Sequence, residues 1–261
     1  DRNVAAAAQA ARAFKADCLV AVGGGSPIDC AKATAIVAAA GGTARDYEGR
    51  FKSDIPPLPI IAIPTTAGTA SELTFGAVIT DTEAKFKFTV KSTQLAPKVA
   101  LADPEMTATM PKNLTAFTGM DALVHAIEAY TCRVATPFSD APAITAMELI
   151  GKYLRRAWKD SGDLEAREGM LLGSLLAGMA FSHSDVAAVH CLAEALGLYT
   201  TRPTAPATRS LCPRSWSSPW MRAWNGTPAS PPASDSPSRR RRRARRRRWR
   251  RSSRWRAILN C

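Results

Sequence analysis

"DCLVAVGGGSPIDCAKATAIVAAA", residues 17–40, decides the fold. Its first part is a short apolar run ending at Gly23, which reads as a buried strand. Three glycines follow, then Ser-Pro and an alanine-rich stretch long enough for a helix. This spacing predicts Ser26 as the N-cap, Pro27 at the first helical position and Asp29 capping the helix start. A strand, a glycine turn and a helix N-terminus make a natural phosphate cradle. Glycines let backbone N–H groups approach an anion, and the helix dipole favours its charge. A tight structural turn accounts for the glycines almost as well.

Outward from this unit, "NVAAAAQAARAF" reads as a helix before it. "PLPIIAIPTTAGTASE" gives another buried strand running into a Thr/Gly loop. "TFGAVITD" and "KFKFTVKS" read as a hairpin, and "KVALAD" as one more strand. From Pro111 the pattern changes to helices alone, at 111–131, 139–158, 163–181 and 184–197. The first of these contains "GMDALVHAIEAYT", residues 119–131, where Asp121 and His125 stand four apart and share one helix face. That geometry suits a metal. The plainer alternative is a buried histidine satisfied by a carboxylate or a backbone carbonyl.

Composition divides the chain. The net charge is +13, yet residues 239–256 hold 13 arginines and no acid, so the remainder is electrically balanced like an ordinary cytosolic enzyme. After Tyr199 there is no Val, Phe or Lys and one acid, Asp235, which leaves no helix or strand period. Cysteines 18, 30, 132, 191, 212 and 261 form no C-x-x-C pair and read as reduced thiols. With reduced thiols a cytoplasmic protein without a membrane partner is expected, and no signal peptide or long apolar span is visible.

"GGGSPIDCAKA", "IPTTAGTASE", "LADPEMTATMP", "TAFTGMDALVHAIEAYT" and "GMAFSHSDVAAVHCLAEALG", in that order and spacing, resemble the iron-dependent alcohol dehydrogenase family. Five ordered motifs are far more specific than any one. Glycerol dehydrogenases and dehydroquinate synthases share the architecture, but "GMDALVHAIEAYT" favours the alcohol dehydrogenase branch. The resemblance implies an NAD(P)-binding α/β domain over 1–107 that lacks its first strand–helix unit, and a partial all-helical metal-binding domain over 108–199. It implies Fe(II), or Zn(II), held by Asp121, His125 and His190. It places NAD or NADP against Gly23, Gly24, Gly25 and Ser26 at the pyrophosphate, with Thr65, Thr66 and Lys87 nearby. The implied reaction is hydride transfer between nicotinamide and a small alcohol or aldehyde, and the implied assembly is a homo-oligomer.

Two departures stand out. Family members often carry a histidine four residues after His190; here that position is Glu194. A fourth ligand is expected from a Pro-His-Gly segment starting near Thr200, where this chain has "TTRPTAPATRS". Back-translation in a shifted frame permits the expected segment. Residues 200–261 are therefore expected to be an out-of-frame, disordered tail, and hydride transfer by this chain to be impaired. The alternative function is nucleic-acid binding through the arginines with interleaved Trp249 and Trp255, nonspecific in character. His183 matches no ligand and is expected on a helix surface or in packing.

Overall fold

A computed structural model describes residues 2–50, 54–84 and 86–193. The expectations for Glu194, the Thr200 segment and the arginine tract lie outside the described residues. The elements run α1 (Arg2–Phe14), β1 (Leu19–Gly23), α2 (Gly25–Ala40), β2 (Gly49–Arg50), β3 (Ile60–Pro64), β4 (Gly76–Asp81), β5 (Phe86–Lys91) and β6 (Val99–Ala100). They continue with α3 (Lys112–Thr131), α4 (Pro137–Lys159) and α5 (Leu164–Ser182). A further helical stretch covers 188–193.

β1, β3 and β6 form a parallel sheet in the order β1-β3-β6, and β2-β5-β4 form a second sheet whose β4–β5 pair is antiparallel. α2 lies between them. Ile28 and Ala35 pack on Ala21, Ile60 and Ala62 of the parallel sheet. Ala33, Ile36 and Val37 pack on Ala77, Ile79, Phe88 and Val90 of the hairpin, together with Val4 and Ala8 of α1. A helix covered on both sides must be apolar nearly all round, which is why "CAKATAIVAAA" lacks a polar stripe. The other face of the parallel sheet carries Val20, Val22 and Val99 outward.

The helical part is built on small residues. Ala122 and Ala126 of α3, Ala146 and Ile150 of α4, and Ala166, Met170 and Ala177 of α5 share one core. Gly169 lets α5 approach Tyr153 so closely that a Cβ there would overlap the ring. Buried Arg167 ties α5 to the start of α3, donating to Thr115 Oγ1 at 3.0 Å. No helix among the described residues is long and apolar enough to cross a membrane.

Three boundary expectations need correction. α2 begins at Gly25 with Gly24 as N-cap, so Ser26 sits within the first turn instead of capping it. Pro27 is tolerated there because the first-turn N–H groups have no intrahelical partner in any case. α4 starts at Pro137 and not 139, because Thr136 forms a capping box with Ser139. The last helix starts at 188 and not 184.

Candidate metal and cofactor site

α3 projects Asp121, His125 and Glu128 from one face, and all are buried. The helix at 188–193 brings His190 to the same spot. One donor atom from each of Asp121, His125 and His190 lies within 4.8 Å of the others. His190 Nε2 stands 3.7 Å from Asp121 Oδ1. The two imidazoles stack with centroids 4.1 Å apart, and Phe181 stacks on the far side of His125 at 4.4 Å. Thus three residues from two distant segments converge.

Their chemistry fits a divalent cation. His125 Nδ1 and His190 Nε2 are buried without a hydrogen-bond partner. Leaving such an atom unsatisfied costs about 1–3 kcal/mol, and a metal that takes both lone pairs removes that cost. One carboxylate with imidazole nitrogen suits Fe(II) or Zn(II). The plainer alternative explains less, because the hydrogen bond from His125 to the Gly68 backbone satisfies only one side of the ring.

Burial, reinforced by the neighbouring His190 charge, lowers the His125 pKa to about 4, so this ring stays neutral and able to ligate. His190 is opposite. Burial lowers its affinity for a proton, but Asp121 and Glu128 override that and raise its pKa to about 9. A cation taking Nε2 must therefore displace a proton.

Glu128 went unnoticed in the sequence, although an acid three residues after His125 in an apolar helix is itself a signal. Its Oε2 accepts from Ala187 N at 2.9 Å and lies 2.6 Å from His190 Nδ1, while Oε1 accepts from Val189 N at 2.7 Å. Burial opposes its ionisation, but these hydrogen bonds outweigh burial and hold its pKa below the ordinary value. His183 is exposed, with Nδ1 2.8 Å from Met179 O and its ring edge-on to Phe75.

The glycine turn is the second feature. Gly23 has φ +149°, and a Cβ there would stand 2.7 Å from Pro27 Cγ, so this position demands glycine. Gly23 O accepts from Thr65 N at 2.9 Å. A Cβ on Gly24 would meet Thr66 Oγ1 at 3.0 Å, and one on Gly25 would meet Thr69 Oγ1 at 2.7 Å. Gly23, Gly24, Gly25, Thr65 and Thr66 are therefore gathered in one place beside Ser26 at the start of α2. Lys87 lies on β5 opposite Thr80, in the hairpin that Asp29 joins to α2.

Asp29 does not cap the helix as expected. It accepts from Ser71 Oγ and from Val78 N, the latter at 3.0 Å, because α2 is pressed against the 71–78 segment. Lys32, wholly buried one turn later, donates to Ser71 Oγ (3.1 Å), Thr74 Oγ1 (2.9 Å), Thr74 O (3.1 Å) and Gly76 O (2.8 Å). Burial lowers its pKa to about 8 despite Asp29 and Glu72.

Glu72 is also buried, and burial raises its pKa from the ordinary 4.5 to about 7. The fold therefore holds this proton more tightly than the unfolded chain. The stability it contributes is complete below about pH 4.5 and is lost as pH rises through about 7. Glu72→Gln should flatten that decline, so urea denaturation at pH 5 and pH 7.5 should show a smaller difference for the variant than for the wild type. Equal differences would contradict it.

One loop joins the two features. A Cβ on Gly68 would stand 2.6 Å from Thr118 Cβ, so the loop lies directly on α3. Ala70 holds a left-handed φ of 52° and packs on Gly178 of α5. Residues 65–70 thus touch the glycine turn on one side, and on the other α5 and α3, the helix carrying Asp121 and His125.

Residues 1–104 match the family profile of iron-containing alcohol dehydrogenase, and residues 115–218 match the C-terminal profile of the Fe-containing alcohol dehydrogenase family. The NAD-dependent methanol dehydrogenase of Bacillus methanolicus is 48% identical over 181 residues, 69% of this chain and 48% of that protein. A crystal structure of 1,3-propanediol oxidoreductase aligns with a TM-score of 0.78 at 44% identity, covering 80% of this chain and 55% of that one. Sulfoacetaldehyde reductase from Bifidobacterium kashiwanohense, solved in complex with NAD+, aligns with a TM-score of 0.74 at 37% identity, covering 78% and 55%. The chain spans about half the length of these relatives. With both profiles matched in order along an α/β layer and its helical continuation, the chain belongs to the iron-containing alcohol dehydrogenase family.

Proposed function

We propose that this chain supplies the metal and nicotinamide sites of an NAD(P)-dependent oxidoreductase acting on small alcohols or aldehydes. The convergence of Asp121, His125 and His190, buried and with imidazole nitrogens unsatisfied, carries the proposal. These three side chains would hold Fe(II) or Zn(II). Bound there, the metal supplies Lewis-acid polarisation of a substrate oxygen. Gly23, Gly24, Gly25 and Ser26 would offer backbone N–H groups to the pyrophosphate, with Thr65 and Thr66 closing over the turn and Lys87 on the hairpin nearby. The 65–70 loop would keep cofactor and substrate in register, because it touches both sides. Phe181 and the stacked rings would shield the ligand cluster from water. We place the boundary between the cofactor-binding and metal-binding parts near 107–108, where strands give way to helices.

The test is NADH binding by fluorescence, followed by NAD(P)H-dependent reduction of short aldehydes with added Fe(II). The expected result is NADH binding that Gly25→Val weakens at least tenfold, with turnover that is slow and depends on added Fe(II). Binding indifferent to that substitution would contradict the cofactor assignment.

A second reading rests on the 13 arginines of residues 239–256. If they bind nucleic acid, affinity should vanish on truncation at Tyr199. It should also fall steeply between 50 and 200 mM salt, by roughly a thousandfold for about six phosphate contacts. Salt-insensitive binding would contradict simple counterion release.

A further inference from the structure

We infer that Glu128 is a positioning residue of the metal centre, one carboxylate that both starts the helix carrying His190 and fixes which ring nitrogen that histidine offers. The inference rests on the proposal that Asp121, His125 and His190 hold a divalent cation.

Glu128 is 4% exposed, and its hydrogen-bond partners are Ala187 N, Val189 N and His190 Nδ1, from 59 to 62 residues away in the chain. Ala187 and Val189 flank the start of the helix at 188–193, where N–H groups have no carbonyl four residues back to receive them. Asp185 accepts from Val186 N, at 2.9 Å, within its own turn. The carboxylate that completes this helix start therefore comes from α3, and its negative charge also suits the helix N-terminus.

The same group sets the chemistry of His190. At 2.6 Å from Glu128 Oε2, Nδ1 must carry the proton, because a carboxylate can only accept. This leaves Nε2 as the donor atom, facing Asp121 Oδ1 at 3.7 Å with no hydrogen-bond partner. A ring held at Nδ1 and stacked on His125 has little freedom to turn. Glu128 lies on the helix that bears Asp121 and His125, so a single rigid element places two ligands and orients the third. With both oxygens engaged, Glu128 is a support and not a ligand. A histidine whose second nitrogen donates to a carboxylate is a more basic and better oriented metal ligand.

The experiment is titration of the full chain with Co(II), followed by its visible absorption, for the wild type, Glu128→Gln and His183→Ala. Glutamine keeps the size of the side chain but turns an NH2 toward either a backbone N–H or the imidazole Nδ1–H. Co(II) affinity should fall 10- to 100-fold with an altered spectrum in Glu128→Gln, and stay unchanged in His183→Ala. Wild-type affinity and spectrum in Glu128→Gln would overturn the role of Glu128. Failure of the wild type to bind Co(II) would overturn the underlying metal proposal instead. Should Glu128→Gln not fold, nitrogen-15 NMR of the zinc-loaded wild type decides. A proton on His190 Nδ1 with the metal on Nε2 supports the inference, and the opposite tautomer overturns it.

Discussion

His125→Ala should abolish stoichiometric binding of Fe(II) or Zn(II). His125 sits at the centre of the cluster, between His190 at 4.1 Å and Phe181 at 4.4 Å. Its ring is kept neutral by burial, so its lone pair needs no proton removed before ligation. Structural zinc sites are worth roughly 10–16 kcal/mol in total, so one ligand accounts for about 3 kcal/mol or more, over a hundredfold in affinity. His125→Phe separates ligation from packing, because phenylalanine preserves the stack and removes both nitrogens. Both variants should lose the metal in equilibrium dialysis, while only the alanine variant should also lose packing stability. Retention of one equivalent by His125→Phe would show that the cation sits elsewhere.

Lys32→Met should be among the most destabilising single changes in the α/β part. Methionine fills much of the same volume, but it leaves Thr74 O, Gly76 O and the Ser71 and Thr74 hydroxyls without their shared donor. It also strands Asp29, whose carboxylate lies 3.7 Å from the ammonium and whose pKa burial already raises. Breaking a buried charge pair from one side costs about 3–5 kcal/mol, a large share of the roughly 5–15 kcal/mol of a typical domain. The damage should reach function as well, since Lys32 anchors residues 71–76, directly after the loop that covers Gly24 and Gly25. Chemical denaturation of Lys32→Met beside the wild type checks the first part. A loss under about 1 kcal/mol would contradict a structural role for that network.

The outcome for each element shows what a sequence reveals and what it hides. Strands β1 and β3, the β4–β5 hairpin and helices α1, α3 and α5 followed from local periodicity, since their apolar positions already carry the spacing of the face they bury. Asp121 and His125 were legible together because four residues is a helical neighbour distance. His190 was not; no spacing links position 190 to 125, and only the family resemblance suggested it. The misplaced boundaries share a cause. Ser26 has ordinary capping chemistry, but Thr66 and Thr69 packed on Gly24 and Gly25 set the helix start. The last helix starts late because Glu128, remote in sequence, receives the N–H groups of Ala187 and Val189. Asp29 reads as a helix cap until Ser71 and Val78 are brought against it by the hairpin. Lys32 reads as an unremarkable lysine, because nothing local announces that both sides of α2 are covered.

The central claim is that Asp121, His125 and His190 form one divalent-metal centre. X-ray absorption at the zinc edge of the zinc-loaded wild-type chain tests it most directly. The account predicts a first shell of nitrogen and oxygen at about 2.0–2.1 Å, with outer-shell scattering from two imidazole rings. A shell of oxygen alone, or sulfur at about 2.3 Å, would contradict it.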